Sequence, residues 1–420
     1  MTRPATLHRS LLLALAFSLS LFTLSAQPAV TAAPEDVGLS SERLEWLGKF
    51  LDEEIEAEQI PGAVTLVFRK GEIAHYQTHG FHNIDTDASM REDAIFFIQS
   101  MTKPIISTAF MMLYEEGRFS LNDPVSDYLP QFGEPKVAVY AEGGSNGDSE
   151  RTLVKAEQPI MIWQLLSHTA GMLHGLGASA LNREYADKLY RQPHKTIEDR
   201  VNALAEIPLV DQPGAAWHYS ASPDVLALLI EHFSGMSAAD FLQERLFNPL
   251  GMEDTGYNID PSNNERMATL HYYDRNKDNL MVSPQQTPTQ GNTVFGGTHG
   301  LFSTPADYLK FCRMMLNGGT YNGHRFLSPK TVELMTADHA GDRYTDPGYG
   351  FGLGFSVRTD LAKAHRLGSP GQFSWSGAYN TYFFIDPEED LIAIMMMQMA
   401  PYTNFYNYKF QQLVYQAITD

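Results

Sequence analysis

The chain is poor in cysteine. Its 420 residues hold a single one, Cys312, which excludes an intrachain disulfide and any cysteine-rich zinc site. Positive charge is scarce too: 30 Lys and Arg stand against 50 Asp and Glu, a formal net charge of −20. A surface this acidic repels phosphate backbones and anionic lipid, so no nucleic-acid partner is expected. Beyond the first 26 residues no apolar run approaches the ~18 residues of a membrane span, so no integral membrane segment is expected after that point. What remains is ordinary globular material, 43% hydrophobic and 19% charged, far from disordered composition. Its length suits two or three domains, or one large composite domain.

Residues 1–26 read as an export signal. Arg3 and Arg9 supply the positive start, residues 11–24 form an apolar run too short to span a bilayer, and Ala26 or Ala32 offers a cleavage site. A periplasmic or secreted location follows as an expectation.

Ser41, Leu44, Leu47, Leu51 and Ile55 fall at helical spacing and predict an amphipathic helix capped by Ser41. Residues 63–68 and 72–78 predict a hairpin turning at Lys70 and Gly71. At the far end, 349–357, 371–374, 381–385 and 391–398 read as strands and 408–418 as a closing helix. The middle differs in texture: 100–117, 160–167, 222–234 and 237–247 read as helices, with Ser222 and Ser237 as caps. Thr304 with Asp307 repeats the cap-plus-acid pattern. Strands at both ends with helices between predict an α+β fold. Its antiparallel sheet is built from both chain ends and flanked by helices, with a mostly helical domain inserted. The expected division is 35–115 with 290–420 for the sheet domain and 116–289 for the helical one. Residues 141–151 read as an exposed loop, and 258–292 show no periodicity.

Three short motifs carry chemistry. In Ser100-Met101-Thr102-Lys103 the spacing brings a lysine amine to a serine hydroxyl on one helix face. A serine is a weak nucleophile without a base, and a desolvated neutral lysine is such a base. A capping serine followed by a solvated lysine has the same pattern. Pro104 fits the catalytic reading only if Ser100 lies at the very start of the helix. Tyr219, just before the helix at 222, can relay a proton beside a lysine, or simply fill a core. Trp375-Ser376-Gly377-Ala378 lets a substrate approach the backbone closely, and the Ala378 N–H can polarise a carbonyl; a plain turn at a sheet edge reads the same way. His168 reads as structural, and a Ser-His-Asp arrangement on a G-x-S-x-G elbow is not expected. His75, His79 and His82 form no supported metal motif.

Together and in this order, the three motifs resemble the class C β-lactamase and penicillin-binding-protein superfamily, with its Ser-x-x-Lys, Tyr-x-Asn and Lys-Thr-Gly elements. The resemblance covers about residues 40–400. It implies Ser100 as acylated nucleophile, Lys103 as its base and Tyr219 as proton carrier. It also implies the N–H groups of Ser100 and Ala378 as oxyanion donors, Trp375, Ser376 and Gly377 as substrate contacts, and no cofactor or metal. Two positions depart from the lactamase pattern. Ala221 stands for its Asn, and Trp375 for the Lys that holds a substrate carboxylate, a loss typically worth ~1.5–3 kcal/mol. Tyr219-Ser220 with Asp224, and Trp375-Ser376-Gly377, look like the esterase branch, the family VIII carboxylesterases. The expected partner is therefore a small-molecule ester cleaved through an acyl-enzyme. The alternatives are a β-lactamase or D,D-peptidase, and a non-catalytic member of the superfamily.

Overall fold

A computed structural model describes residues 29–140 and 151–420; the expected export segment and nearly all of the loop at 141–151 lie outside the described residues. Helix α1 (Ser41–Glu56) opens the fold, with Leu44, Leu47 and Leu51 buried. Its cap is Ser40, one residue earlier than expected: Ser40 is extended and its Oγ accepts from Arg43 N at 3.2 Å, while Ser41 N donates to Glu35 Oε1. Strands β1 (Gly62–Arg69) and β2 (Glu72–Asn83) follow as the expected hairpin, with β3 (Ala88–Ser89) beside them.

From the other end of the chain come β4 (Tyr349–Phe351), β5 (Ser356–Arg358), β6 (Phe373–Gly377), β7 (Thr381–Asp386) and β8 (Leu391–Met396). All pair in one antiparallel sheet of order β4-β5-β6-β7-β8-β1-β2-β3. The seam between the two ends is the β8–β1 pairing, Val64 opposite Met396 and Leu66 opposite Ile394. The α+β fold with a sheet from both ends is thus as expected. The single strand expected over 349–357 is instead a tight hairpin. Gly352 and Gly354 make its turn, and Gly354 has φ +102°, a conformation that favours glycine.

Both faces of the central strands are covered, which explains their unbroken apolar runs. Ile392, Ile394 and Met396 of β8 face one core, and Leu391, Ala393 and Met395 the other. The second core is closed by α1 and the C-terminal helix. The first is shared with two long buried helices, α2 (Thr102–Glu115) and α3 (Ser222–Ser234), and with α4 (Pro305–Leu316), which holds the buried Cys312. The C-terminal helix α5 spans Asn404–Tyr415. Each fully buried aliphatic side chain in these cores contributes roughly 1.5–3 kcal/mol.

Ser222 is not a cap: α3 is preceded by Ala221, with no side-chain cap, and the Ser222 hydroxyl lies 2.8 Å from Ser220 Oγ. Ser237 and Thr304 do cap, accepting from Asp240 N and Asp307 N. The stretch without periodicity holds a short hairpin, His271–Asp274 with Asn279–Val282, whose first strand pairs in parallel with Met399–Ala400. The histidines at 75 and 79 are tied to Thr65 and Asp52, and among the described residues no cluster of His, Cys, Asp and Glu is arranged to hold a metal ion. Among the described residues no single helix is long and apolar enough to cross a membrane.

Candidate active site

Ser100 sits where a strand becomes a helix. Phe96–Phe97 pairs with Phe302–Ser303, a 3-10 turn covers Gln99–Met101, and α2 starts at Thr102. Gln99 has φ +48°, a left-handed conformation that side chains adopt at a cost of about 1–3 kcal/mol and that clusters at functional sites. Pro104 is therefore the third residue of α2, where its missing N–H leaves only the first-turn carbonyl of Ser100 without a helical donor.

Lys103 is 1% exposed. Its Nζ lies 3.1 Å from Ser100 Oγ and donates to the Thr298 carbonyl at 2.8 Å. Burial lowers its pKa to about 7, partly opposed by the negative charge of Asp224. At neutral pH a large share of the amine is uncharged, and its lone pair can accept the serine proton. Tyr219 donates its hydroxyl proton to Ser100 Oγ at 2.6 Å, and the ammonium position lies 4.5 Å from the centre of its ring. Burial pushes the Tyr219 pKa upward, so the phenol keeps its proton at rest and the amine is the better-matched base.

The loop 296–300 completes this arrangement through a backbone contact that its glycine-rich sequence does not spell out. Thr298 N donates to Asp224 Oδ1 at 2.8 Å while its carbonyl receives Lys103, so the backbone of one residue bridges the buried carboxylate and the amine. Arg200 stands 3.5 Å from the other oxygen of Asp224. The signal was present in the glycines. A Cβ on Gly297 would lie 1.9 Å from the Pro223 carbonyl oxygen, so only glycine lets the loop rest on the first turn of α3. Gly297→Ala is expected to cost about 2–4 kcal/mol in denaturant unfolding; an unchanged midpoint would show that the loop has room to move.

Gly377 plays a similar part at the end of β6. Its missing Cβ would meet Ile98 O at 2.4 Å, which brings the strand end, and Ala378 after it, against the residues preceding Ser100. Ser100, Tyr219, Trp375, Ser376, Gly377 and Ala378 line one cavity of about 520 Å³. Lys103 lies behind it. Trp375 packs edge-on to Phe351 at 5.2 Å and 5.7 Å from Tyr219. His168 is buried, 2.7 Å from Ser220 Oγ, and burial holds its pKa well below the ordinary value. It makes a structural contact beside the site. A G-x-S-x-G spacing does occur at Gly143, Ser145 and Gly147, outside the described residues and, along the sequence, between the paired strands Lys136–Tyr140 and Arg151–Lys155.

Comparison with known proteins places this geometry. The family model described as Beta-lactamase matches residues 47–416. The chain belongs to the beta-lactamase family. Within that family it is 36% identical to protein Rv1367c of Mycobacterium tuberculosis over 362 residues, 82% of this chain and 88% of that one. Esterase EstB of Burkholderia gladioli is 28% identical over 380 residues, 84% and 90% of the two chains. Among solved structures, EstCE1, a hydrolase with promiscuous acyltransferase activity, superposes with a TM-score of 0.74 at 24% identity, covering 89% of this chain and 99% of its own. The beta-lactamase family is one of hydrolases, and these relatives place the chain in its serine β-lactamase and penicillin-binding-protein superfamily, on the side that includes esterases.

Proposed function

We propose that the protein is an exported serine carboxylesterase that cleaves short-chain acyl esters through an acyl-enzyme on Ser100. The observation that carries this reading is the Ser100–Lys103–Tyr219 triangle, at 3.1 and 2.6 Å from Ser100 Oγ, opening into a cavity walled by Trp375. Ser100 Oγ attacks the ester carbonyl carbon as its proton passes to the neutral amine of Lys103. The N–H groups of Ser100 and Ala378 receive the oxyanion. Tyr219 gives its proton to the departing alkoxide and regains one from the Lys103 ammonium, which restores the neutral amine. Water then attacks the acyl carbon by the same route in reverse and frees Ser100. Export rests on Arg3, Arg9 and the apolar run at 11–24.

Ester specificity follows from what faces the substrate. The indole of Trp375 lines the cavity and carries no positive charge to hold a lactam carboxylate, and Ala221, which is fully buried, supplies no amide where the lactamase pattern has one; an uncharged wall suits neutral acyl groups. EstB is named an esterase, which supports the same choice. The test is hydrolysis of p-nitrophenyl butyrate beside that of nitrocefin. Butyrate turnover with at most slow nitrocefin turnover is expected, and the reverse order would favour the β-lactamase or D,D-peptidase reading. Trp375→Lys is expected to raise the nitrocefin acylation rate about tenfold by restoring a charge-assisted contact. No gain would mean that the indole is not what excludes the carboxylate.

A further inference from the structure

The cavity has a second bank, away from the catalytic triangle, made by α5 and by residues 346–366. Its chemistry is polar. The Tyr402 hydroxyl donates to Asn404 Oδ1 at 2.5 Å and accepts from Asn407 Nδ2 at 3.0 Å, with Ser376 Oγ 2.9 Å away as a further donor. This network fixes the amide of Asn407, because Tyr402 has spent its only proton on Asn404. Asn407 Oδ1 is then a buried acceptor with no partner among the described residues, on a side chain that lines the cavity and belongs to a residue 3% exposed. The Oδ1 atom itself has no open surface on the cavity, so Asn407 serves to hold Tyr402 in place, and what a ligand meets on this bank is the Tyr402 and Asn404 rim and the charged pair beside it.

Arg366 and Asp346 line the same cavity and are only loosely paired, at 3.9 Å, with side chains 28% and 39% exposed. The guanidinium carbon lies over the Tyr408 ring, 3.5 Å from its centre. A pair this open leaves planar donors and a two-oxygen acceptor facing one space, with no net charge between them. A carboxylate ligand would meet Asp346, and an ammonium would meet Arg366. A neutral group that both donates and accepts satisfies both residues, and rings with axial C–H faces also suit the aromatic walls.

We infer that this bank is a subsite for a hydroxyl-rich alcohol, so that the preferred substrates are O-acylated sugars or polyols, with Asp346 and Arg366 contacting their hydroxyls. The inference rests on the esterase reading for the reaction, while the subsite itself is a binding claim. Two esters of like shape separate hydroxyl recognition from size: 6-O-acetylglucose and cyclohexylmethyl acetate. The kcat/KM ratio of the first to the second is expected to be at least about tenfold, since sites built around substrate hydroxyls reject analogues that lack them. Asp346→Asn and Arg366→Gln are each expected to reduce that ratio about fivefold or more, mainly through KM of the sugar ester. A variant that is merely misfolded lowers both rates and leaves the ratio in place. A wild-type ratio near one, or a ratio unmoved in both variants, overturns the subsite.

Binding is read separately in Ser100→Ala by tryptophan fluorescence, since Trp217 and Trp375 line the cavity. Methyl glucoside is expected to give a saturable change that weakens in the Asp346→Asn background. Saturable binding without hydrolysis of any ester upholds the subsite and overturns the esterase reading. Hydrolysis of p-nitrophenyl butyrate with no saturable response does the opposite.

Discussion

Replacing Ser100 with alanine is expected to lower kcat/KM for p-nitrophenyl butyrate by at least about 10⁴-fold, with the unfolding midpoint nearly unchanged. The size follows from the role. Without Oγ there is no covalent intermediate, and the oxyanion donors and Lys103 are left to assist direct attack by water, which retains only a small residue of the acceleration. The fold is spared because Ser100 opens onto the cavity, where water can take the place of Oγ as acceptor for the Tyr219 hydroxyl. The wild-type protein and the variant are compared under identical conditions, by initial rates and by thermal unfolding. A variant rate within tenfold of wild type would mean that the nucleophile lies elsewhere, and Lys103 and Tyr219 would then need another explanation for their positions.

Much of this site was legible because short-range chemistry leaves local marks. Ser100 and Lys103 are one helical turn apart, and the strand before them and the helix after them both show in hydrophobic pattern. The long apolar strands 62–69 and 391–396 likewise announce themselves, since both their faces are buried and every residue is apolar or pairs across the sheet. Sequence and structure part where one-residue choices are decided by tertiary partners. Ser40 rather than Ser41 caps α1 because Glu35 claims the Ser41 N–H. Ser222 is turned toward Ser220 instead of capping α3. The hairpin at 349–358 depends on glycines whose missing side chains make room for Met335 and Ser107, which no local pattern reveals. The same holds for the Thr298 backbone between Asp224 and Lys103: these partners lie 74 and 195 positions from Thr298 along the chain, and only the folded packing joins them. The polar bank of the cavity, from Asp346, Arg366 and Asn407, was hidden for the same reason.

Lys103→Met is expected to abolish hydrolysis while making the protein more stable. The kinetic half is a loss of at least about 10³-fold, because general-base assistance of this kind is typically worth 10²–10⁴ and Met offers no lone pair basic enough to replace it. The stability half follows from linkage. Burial lowers the Lys103 pKa from 10.5 to about 7, so between those values the unfolded chain holds a proton that the folded chain does not. Stability therefore rises with pH across that window, and the cost of burying the amine is fully present below it. At pH 7.5 this cost is about 4 kcal/mol, since each tenfold loss of proton affinity on folding corresponds to ~1.4 kcal/mol. Against it stands the hydrogen bond to the Thr298 carbonyl, which the variant leaves buried without a donor at a cost of about 1–3 kcal/mol. A net gain of about 2 kcal/mol is expected at neutral pH, shrinking and then reversing as the pH approaches 10. Denaturant unfolding of both proteins at pH 7 and pH 10 measures it. The wild-type kcat/KM should in turn rise with pH through about 7, as the amine loses its proton. If the Met variant is the less stable at pH 7 and the gap does not change with pH, Lys103 is charged in the folded protein, and a neutral amine cannot be the base that activates Ser100.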